Sequence, residues 1–177
     1  MNRFIKTVIL IGLFSISHLW GQFESPVTLS AKAESSVRAG EVVNIIVKAE
    51  MDAEWKIYAL RDQGEGPIAT RVVVTGEIIE ASGLVWEDEP VEKYDDGFLT
   101  TTRTHQGGAI FKAPILVKSD LSPGKYNLSV NVLFQVCNAS LCYPPKEEVL
   151  TITVTVEGGT ARDDRTDMVL VADVFDD

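Results

Sequence analysis

The sequence predicts an all-β chain that folds as an antiparallel β-sandwich of the immunoglobulin type. About seven short segments alternate apolar and polar residues with the period of two that is typical of half-buried strands. Turn signals containing glycine or proline separate these segments, and no segment keeps a sustained helical period. Short strands at this spacing are typical of two packed antiparallel sheets.

The predicted strands follow one another along most of the chain. They cover residues 27–33, 41–49, 55–60, 68–79, 109–117, 125–136 and 148–156. The most polar part of the domain, residues 86–104, is expected to form a solvated loop. Its acidic residues, Asp95 among them, form a solvated face or disfavour a nearby thiolate. Trp55 and Tyr58 are expected in the core, because large aromatic side chains dominate core burial.

Residues 1–21 have the pattern of a secretory signal peptide. Arg3 and Lys6 supply the positive charge at its start, residues 7–16 form the apolar centre, and Gly21 is the small residue before the expected cut. The alternative is an uncleaved membrane anchor. It is disfavoured because the apolar centre is shorter than the about 20 residues that a membrane-spanning helix needs.

Cleavage leaves one domain over residues 22–157 and an acidic, mobile tail over residues 158–177, without stable membrane insertion. Export places this domain where disulfides form and persist. The full chain has a formal net charge of -10 and a pI of about 4.7. Nucleic acid and anionic membrane surfaces are therefore excluded as favourable partners.

The sequence offers few ligands for a metal. Outside the signal peptide it contains two cysteines and one histidine, His105, whereas a structural zinc site takes four such ligands. A copper site formed by Cys137, Cys142 and His105 stays open as a weak alternative, and His105 is otherwise expected on the surface. No metal and no cofactor are predicted.

Both cysteines lie between the predicted strands 125–136 and 148–156. If these strands pair as a hairpin, Cys137 and Cys142 face one another at its mouth, with Cα atoms about 4.5–5.5 Å apart. A disulfide accepts Cα separations of about 4.4–6.8 Å. In the chain-entropy model, however, a bond that closes so short a loop stabilises the fold by only about 2 kcal/mol. The pair therefore suits thiol–disulfide exchange better than stabilisation.

The residues around the cysteines resemble a known family. Phe134-Gln-Val-Cys137, followed by Leu141-Cys142-Tyr143-Pro144-Pro145, is similar to the active-site signature of the N-terminal periplasmic domain of the thiol:disulfide interchange protein DsbD, the DsbD-alpha family. Further matches lie upstream, in the order of the family, at residues 55–58, 66–70, 86–90 and 93–98. The resemblance covers residues 26–156.

This resemblance implies the immunoglobulin fold and roles for particular residues. Cys142 would attack the disulfide of a partner, and Cys137 would resolve the mixed disulfide. The neighbours of the pair would be Phe134, Tyr143 and Pro144. A cap loop within residues 86–104 would lay an aromatic side chain, Phe98 or Tyr94, over the disulfide. One departure is that four residues separate these cysteines, whereas five do so in the best-known member.

Two functions follow as hypotheses. The first is a periplasmic thiol–disulfide interchange domain, a component of a protein-disulfide reductase, that passes reducing equivalents to thioredoxin-like proteins. A separate membrane protein would be the electron donor, because the membrane and thioredoxin-like domains of the family are not found in this sequence. The alternative is a non-catalytic immunoglobulin-like binding or assembly module with a structural disulfide. An accessible sulfur would favour the first hypothesis.

Overall fold

In a computed structural model, which describes residues 25–60 and 66–168, the chain is built almost entirely from β-strands. The strands are β1 (Val27–Ala33), β2 (Val37–Arg38), β3 (Val42–Met51), β4 (Lys56–Tyr58), β5 (Arg71–Thr75), β6 (Ile79–Ser82), β7 (Trp86–Glu87), β8 (Val91–Asp95), β9 (Thr100–Gln106), β10 (Gly108–Val117), β11 (Gly124–Phe134), β12 (Val136–Cys137) and β13 (Lys146–Glu157). One turn of 3-10 helix, Asp163–Arg165, follows β13. The predicted signal peptide lies outside the described residues, as do residues 169–177 of the predicted tail.

The strands form three sheets. The first sheet has the order β1-β3-β10-β6, and β7 also pairs with β10. The second has the order β2-β13-β11-β5, and the third has the order β12-β4-β9-β8. Every pair is antiparallel except that of β13 with β2. The long hairpin of β11 and β13 runs in register from Gly124 opposite Val156 to Phe134 opposite Lys146, which confirms the predicted pairing beside the cysteines.

The core lies between the first two sheets. Alternate residues of β3 and β11 are buried, so that Ile45 and Val47 from one sheet and Val130 and Val132 from the other belong to a single hydrophobic cluster. This burial follows directly from the period of two, because successive side chains of a strand point to opposite faces. The predicted all-β, immunoglobulin-like antiparallel sandwich is confirmed.

The predicted strand over residues 68–79 is divided by a turn. Gly76 lies in this turn, where its carbonyl accepts a hydrogen bond from the N–H of Ile79 at 3.3 Å. A Cβ atom at position 76 would overlap Cδ2 of Leu128 on β11. Glycine therefore lets the turn approach β11 closely, and β5 ends before it while β6 begins after it.

The predicted loop over residues 86–104 is the clearest error of the sequence analysis. The structure has β7, β8 and most of β9 in this region, and the β8–β9 hairpin forms half of the third sheet. Residues 91–94 of β8 are all exposed, so that no alternation marks the strand in the sequence. In β9 the inward positions include Thr102 and Thr104, which are polar but β-branched and fit a strand well.

The first residues of the predicted tail contact the sandwich. Arg162 donates hydrogen bonds from Nε and Nη2 to the carboxylate of Glu41, at 2.8 and 2.6 Å. The backbone N–H groups of Arg162 and Arg38 donate to the same carboxylate at 2.7 and 2.9 Å. The Glu41 side chain is wholly buried. Through these hydrogen bonds Arg162, which belongs to the predicted tail, contacts the sandwich beside β2.

The structure contains no segment suited to crossing a membrane as a helix within residues 25–60 and 66–168.

Candidate functional site

The two cysteines form a disulfide at the mouth of the β11–β13 hairpin. Cys137 ends β12, and its Cα lies 4.1 Å from that of Cys142, slightly closer than predicted. The intervening loop is held by Asn138, whose Oδ1 accepts the N–H groups of Ser140 and Leu141, both at 2.8 Å. The N–H of Asn138 donates to the carbonyl of Leu141 at 2.9 Å. These hydrogen bonds fix the loop and hold the two cysteines side by side.

The two cysteines differ in their access to solvent. Cys137 is 1% exposed and lies on β12, at the bottom of the site where that strand pairs with β4. Cys142 is exposed, on the outer side of the loop. A protein thiol that approaches from solvent therefore reaches Cys142 first.

The disulfide lies at a cleft of about 500 Å³. One wall is the face of the third sheet, with residues of β4, β8 and β9, and the other wall is the cysteine loop, residues 137–142. The turn between β8 and β9 closes one side of the cleft with Asp96, Gly97 and Phe98. The cleft thus lies between the disulfide and the hairpin that the sequence analysis expected to be a cap loop.

The structure distinguishes the two aromatic candidates for the cap. Both line the cleft, but Tyr94 is 54% exposed whereas Phe98 is half-buried. The ring of Phe98 packs edge-on against that of Tyr58, with centroids 6.0 Å apart. Asp95 stabilises the turn, since its carboxylate accepts the N–H of Gly97 at 3.0 Å and its carbonyl accepts the N–H of Phe98 at 3.3 Å.

A buried ion pair lies in the same cleft. Nζ of Lys56 on β4 is 2.7 Å from Oδ2 of Asp95 on β8, and it also lies 5.6 Å from the centre of the Tyr58 ring. Burial acts to raise the pKa of Asp95, but the hydrogen bond from Lys56 and the N–H groups of the turn hold this pKa below its usual value. Burial, together with the Asp95 charge, raises the pKa of the Tyr58 hydroxyl. Asp95 is therefore ionised and Tyr58 neutral at physiological pH.

Lys56 was not identified from the sequence. It lies inside the matching residues 55–58, but only the pairing of β4 with β12 shows that it faces Cys137. Tyr58 is fully buried, as predicted for a core residue, although it also lines the cleft.

The three predicted neighbours of the cysteines are not in the cysteine cleft. Phe134, Tyr143 and Pro144 line a second cleft, of about 380 Å³, together with Pro26 and other residues. Phe134 belongs to the hydrophobic core. The ring of Tyr143 stacks on that of Trp55, with centroids 5.2 Å apart and planes at 11°.

The prediction that His105 lies on the surface is wrong. His105 is 4% exposed, and its Nε2 lies 3.0 Å from Oε2 of Glu87. Its ring packs edge-on against Phe111, with centroids 5.8 Å apart. His105 is not among the residues that line the cysteine cleft. Within the described ranges, no group of three or more potential metal-binding side chains occurs.

Comparison with known proteins identifies one matching family. The family model described as "Thiol:disulfide interchange protein DsbD, N-terminal" matches residues 24–154. The N-terminal domain of Neisseria meningitidis DsbD, in its reduced form, is 16% identical, with a TM-score of 0.41 over 68% of this chain and 86% of that one. The N-terminal periplasmic domain of Proteus mirabilis ScsB is 18% identical, with a TM-score of 0.46 over 84% of this chain and 49% of that one. The chain thus spans about half of the ScsB chain. No curated protein matches significantly in sequence.

Proposed function

The chain belongs to the family of DsbD N-terminal domains, and from this we propose that it is a periplasmic thiol–disulfide interchange domain. In this proposal residues 1–21 direct export, residues 22–157 form the exchange domain, and the domain is one component of a protein-disulfide reductase. The observation that carries the proposal is the unequal exposure of the two cysteines, with Cys142 exposed and Cys137 buried. Exchange requires one sulfur that a partner can reach and a second sulfur that is close enough to displace the partner.

The exchange proceeds in two steps. In the reduced protein, the Cys142 thiolate attacks one sulfur of the disulfide of an oxidised partner, and the other partner sulfur leaves as a thiolate. The Cys137 thiolate then attacks Cys142 in the mixed disulfide, which forms the Cys137–Cys142 disulfide and releases the second partner thiolate. Two electrons pass to the partner, and the domain is left oxidised, as in this structure.

The β8–β9 turn controls access to the disulfide in this proposal. Phe98 is held in the cleft by its contact with Tyr58, while the turn is a short exposed segment at the end of a hairpin. Movement of this turn away from the cysteine loop opens the cleft without disturbing the core of the sandwich. Phe98 is therefore assigned as the cap, and Tyr94 as an exposed residue at its edge.

The partners follow from the family and from this chemistry. The oxidised partners are thioredoxin-like proteins of the periplasm, which carry accessible disulfides. Each exchange leaves the cysteines oxidised, so a reductant must restore the dithiol, and we assign this step to a membrane electron donor. The exchange itself uses only sulfur chemistry and needs no bound cofactor.

A direct assay tests this function. The reduced protein is mixed with an oxidised thioredoxin-like protein, and the thiols of both proteins are counted after alkylation. We expect two thiols to appear on the partner for each pair lost from Cys137 and Cys142. If the partner stays oxidised while the domain keeps its dithiol, the alternative applies, namely a binding or assembly module with a structural disulfide.

A further inference from the structure

Lys56 and Cys137 are direct cross-strand neighbours in the third sheet. Strands β4 and β12 pair antiparallel, and the Cα atoms of these two residues are partners in the register. Directly opposed side chains of antiparallel strands point to the same face, with Cβ atoms about 4.5–5.5 Å apart. Both residues also line the cysteine cleft. The ammonium group of Lys56 is therefore attached on the same face as the sulfur of Cys137.

Lys56 occupies a particular place among the charged groups of the cleft. The charged side chains that line the cleft are Glu54, Lys56, Lys93, Asp95 and Asp96, and the titratable phenols are Tyr58 and Tyr94. Lys56 alone among these lies opposite a cysteine in the sheet register. Its ion pair with Asp95 is mostly shielded from solvent, at 27% and 11% side-chain exposure, so that screening by water is reduced.

The contact with Asp95 leaves Lys56 able to bind a second anion. An ammonium group has three N–H donors, and Oδ2 of Asp95 accepts one of them. Asp95 also accepts the N–H of Gly97 in the turn that carries Phe98. One carboxylate thus connects the Lys56 cation to the cap turn, and in the disulfide form it draws the ammonium group across β9 towards β8, away from β12.

We propose that Lys56 stabilises the thiolate of the reduced cysteine pair and that Asp95 competes with this thiolate for the ammonium group. The inference rests on the proposed function, because a thiolate is the attacking species in disulfide exchange. A cation near a thiol lowers its pKa by stabilising the charged form. Asp95 opposes the thiolate in two ways, because it holds the ammonium group on the side of β4 that is away from β12 and because its own negative charge disfavours a second anion nearby. Lys56 and Asp95 therefore act on the thiol pKa in opposite directions.

The test measures the lower thiol pKa of the reduced protein from the ultraviolet absorbance of the thiolate as a function of pH. The variants are Lys56→Met, which keeps the aliphatic stem, Asp95→Asn, which keeps a hydrogen-bond acceptor, and the control Lys93→Met. Lys93 lines the same cleft and carries the same charge, but it lies on β8, opposite Thr102. We expect Lys56→Met to raise the thiol pKa by about one and Asp95→Asn to lower it, with a smaller change for Lys93→Met.

The opposite signs distinguish this role from a purely structural one. If the ion pair only held the hairpin closed, either variant would break it, and both would change the thiol pKa in the same direction. The inference would be overturned if both variants shifted the thiol pKa equally in one direction, or if Lys56→Met did not shift it. Exchange by the unaltered protein would still support the proposed function in that case. An unaltered protein whose disulfide stays intact in excess dithiothreitol would overturn both.

Discussion

Cys137 is almost completely buried, whereas Cys142, to which it is bonded, is exposed to solvent. The asymmetry accompanies a difference in position, since Cys137 is part of β12, which pairs with β4 in the third sheet, while Cys142 lies five residues later at the end of a loop held by Asn138. In the proposed exchange, Cys142 would meet the partner and Cys137 would complete the reaction.

The first prediction concerns single-cysteine variants. Cys137→Ala leaves an exposed thiol at position 142, and Cys142→Ala leaves a buried thiol at position 137. We expect the Cys137→Ala protein to be alkylated by iodoacetamide about tenfold faster at neutral pH, because access governs thiol reactivity. It should also accumulate a mixed disulfide with an oxidised thioredoxin-like protein, detected by mass spectrometry. Equal alkylation rates in the two variants would contradict the assigned roles.

The second prediction concerns the cap. Phe98→Ala removes the edge-on contact with the Tyr58 ring. Aromatic contacts of this kind contribute about 1 kcal/mol of stabilisation beyond the area that they bury. The substitution should therefore favour the open position of the turn. We expect the disulfide of this variant to be reduced by dithiothreitol about fivefold faster, as followed by thiol titration. Tyr94→Ala is the control, and because Tyr94 is mostly exposed it should change the rate little. A larger effect of Tyr94→Ala would transfer the cap role to that residue.

The third prediction concerns the stacked pair of Trp55 and Tyr143. Tyr143→Ala removes the stack beside the disulfide, and stacked aromatic pairs contribute about 1 kcal/mol beyond their buried area. We expect the free energy of unfolding, measured with urea, to fall by at least this amount. Tyr143→Phe keeps the ring and should retain most of the stability. If both variants lose the same stability, the hydroxyl group rather than the stack is responsible.

The fourth prediction concerns Glu41 and its pH dependence. The side-chain hydrogen bond from Arg162 lowers the pKa of Glu41 from 4.5 to about 2, against the opposing effect of burial. Because the folded-state pKa is the lower one, the stabilisation is fully present above pH 4.5 and is lost as the pH falls through about 2. Glu41→Gln should cost about 2 kcal/mol at pH 7, since it removes hydrogen bonds to a charged group.

The control for Glu41→Gln is Glu50→Gln. Glu50 pairs with Lys48 on the exposed surface of the first sheet, where ion pairs contribute little. Urea unfolding at pH 7 and at pH 3 should show that Glu41→Gln loses less stability on acidification than the unaltered protein does. If the free energy of unfolding depended on pH identically in Glu41→Gln and in the unaltered protein, the Glu41–Arg162 contact would not contribute to stability.

The sequence predicts the sandwich well where burial is one-sided. The predicted bounds of β1 agree with the structure, and the β11–β13 hairpin extends only two residues beyond the predicted segment of β13 at its start. In these strands one face is apolar and the other polar, so that the alternation of apolar and polar residues in the sequence predicts which side chains are buried. The β8–β9 hairpin of the third sheet escaped prediction because the side chains of β8 are exposed and those of β9 are mostly polar.

The site could be predicted only in part, because several of its contacts join residues that are distant in sequence. The motif around Cys137 and Cys142 identifies the disulfide. The position of Lys56 opposite Cys137, however, depends on the pairing of β4 with β12. His105 looks like a surface residue in the sequence, yet it is buried and has a hydrogen-bond partner in Glu87, eighteen residues away. Contacts such as these depend on the tertiary fold, and they cannot be predicted from the periodicity or the composition of the sequence.

The most direct test of the central claim is the equilibrium reduction potential of the Cys137–Cys142 disulfide, titrated against dithiothreitol or glutathione. An exchange domain should have a potential between roughly -200 and -270 mV, the range of glutaredoxins and thioredoxin, in which electrons pass readily to and from partner disulfides. A potential below about -300 mV, typical of structural disulfides in secreted proteins, would contradict the account and favour a binding module.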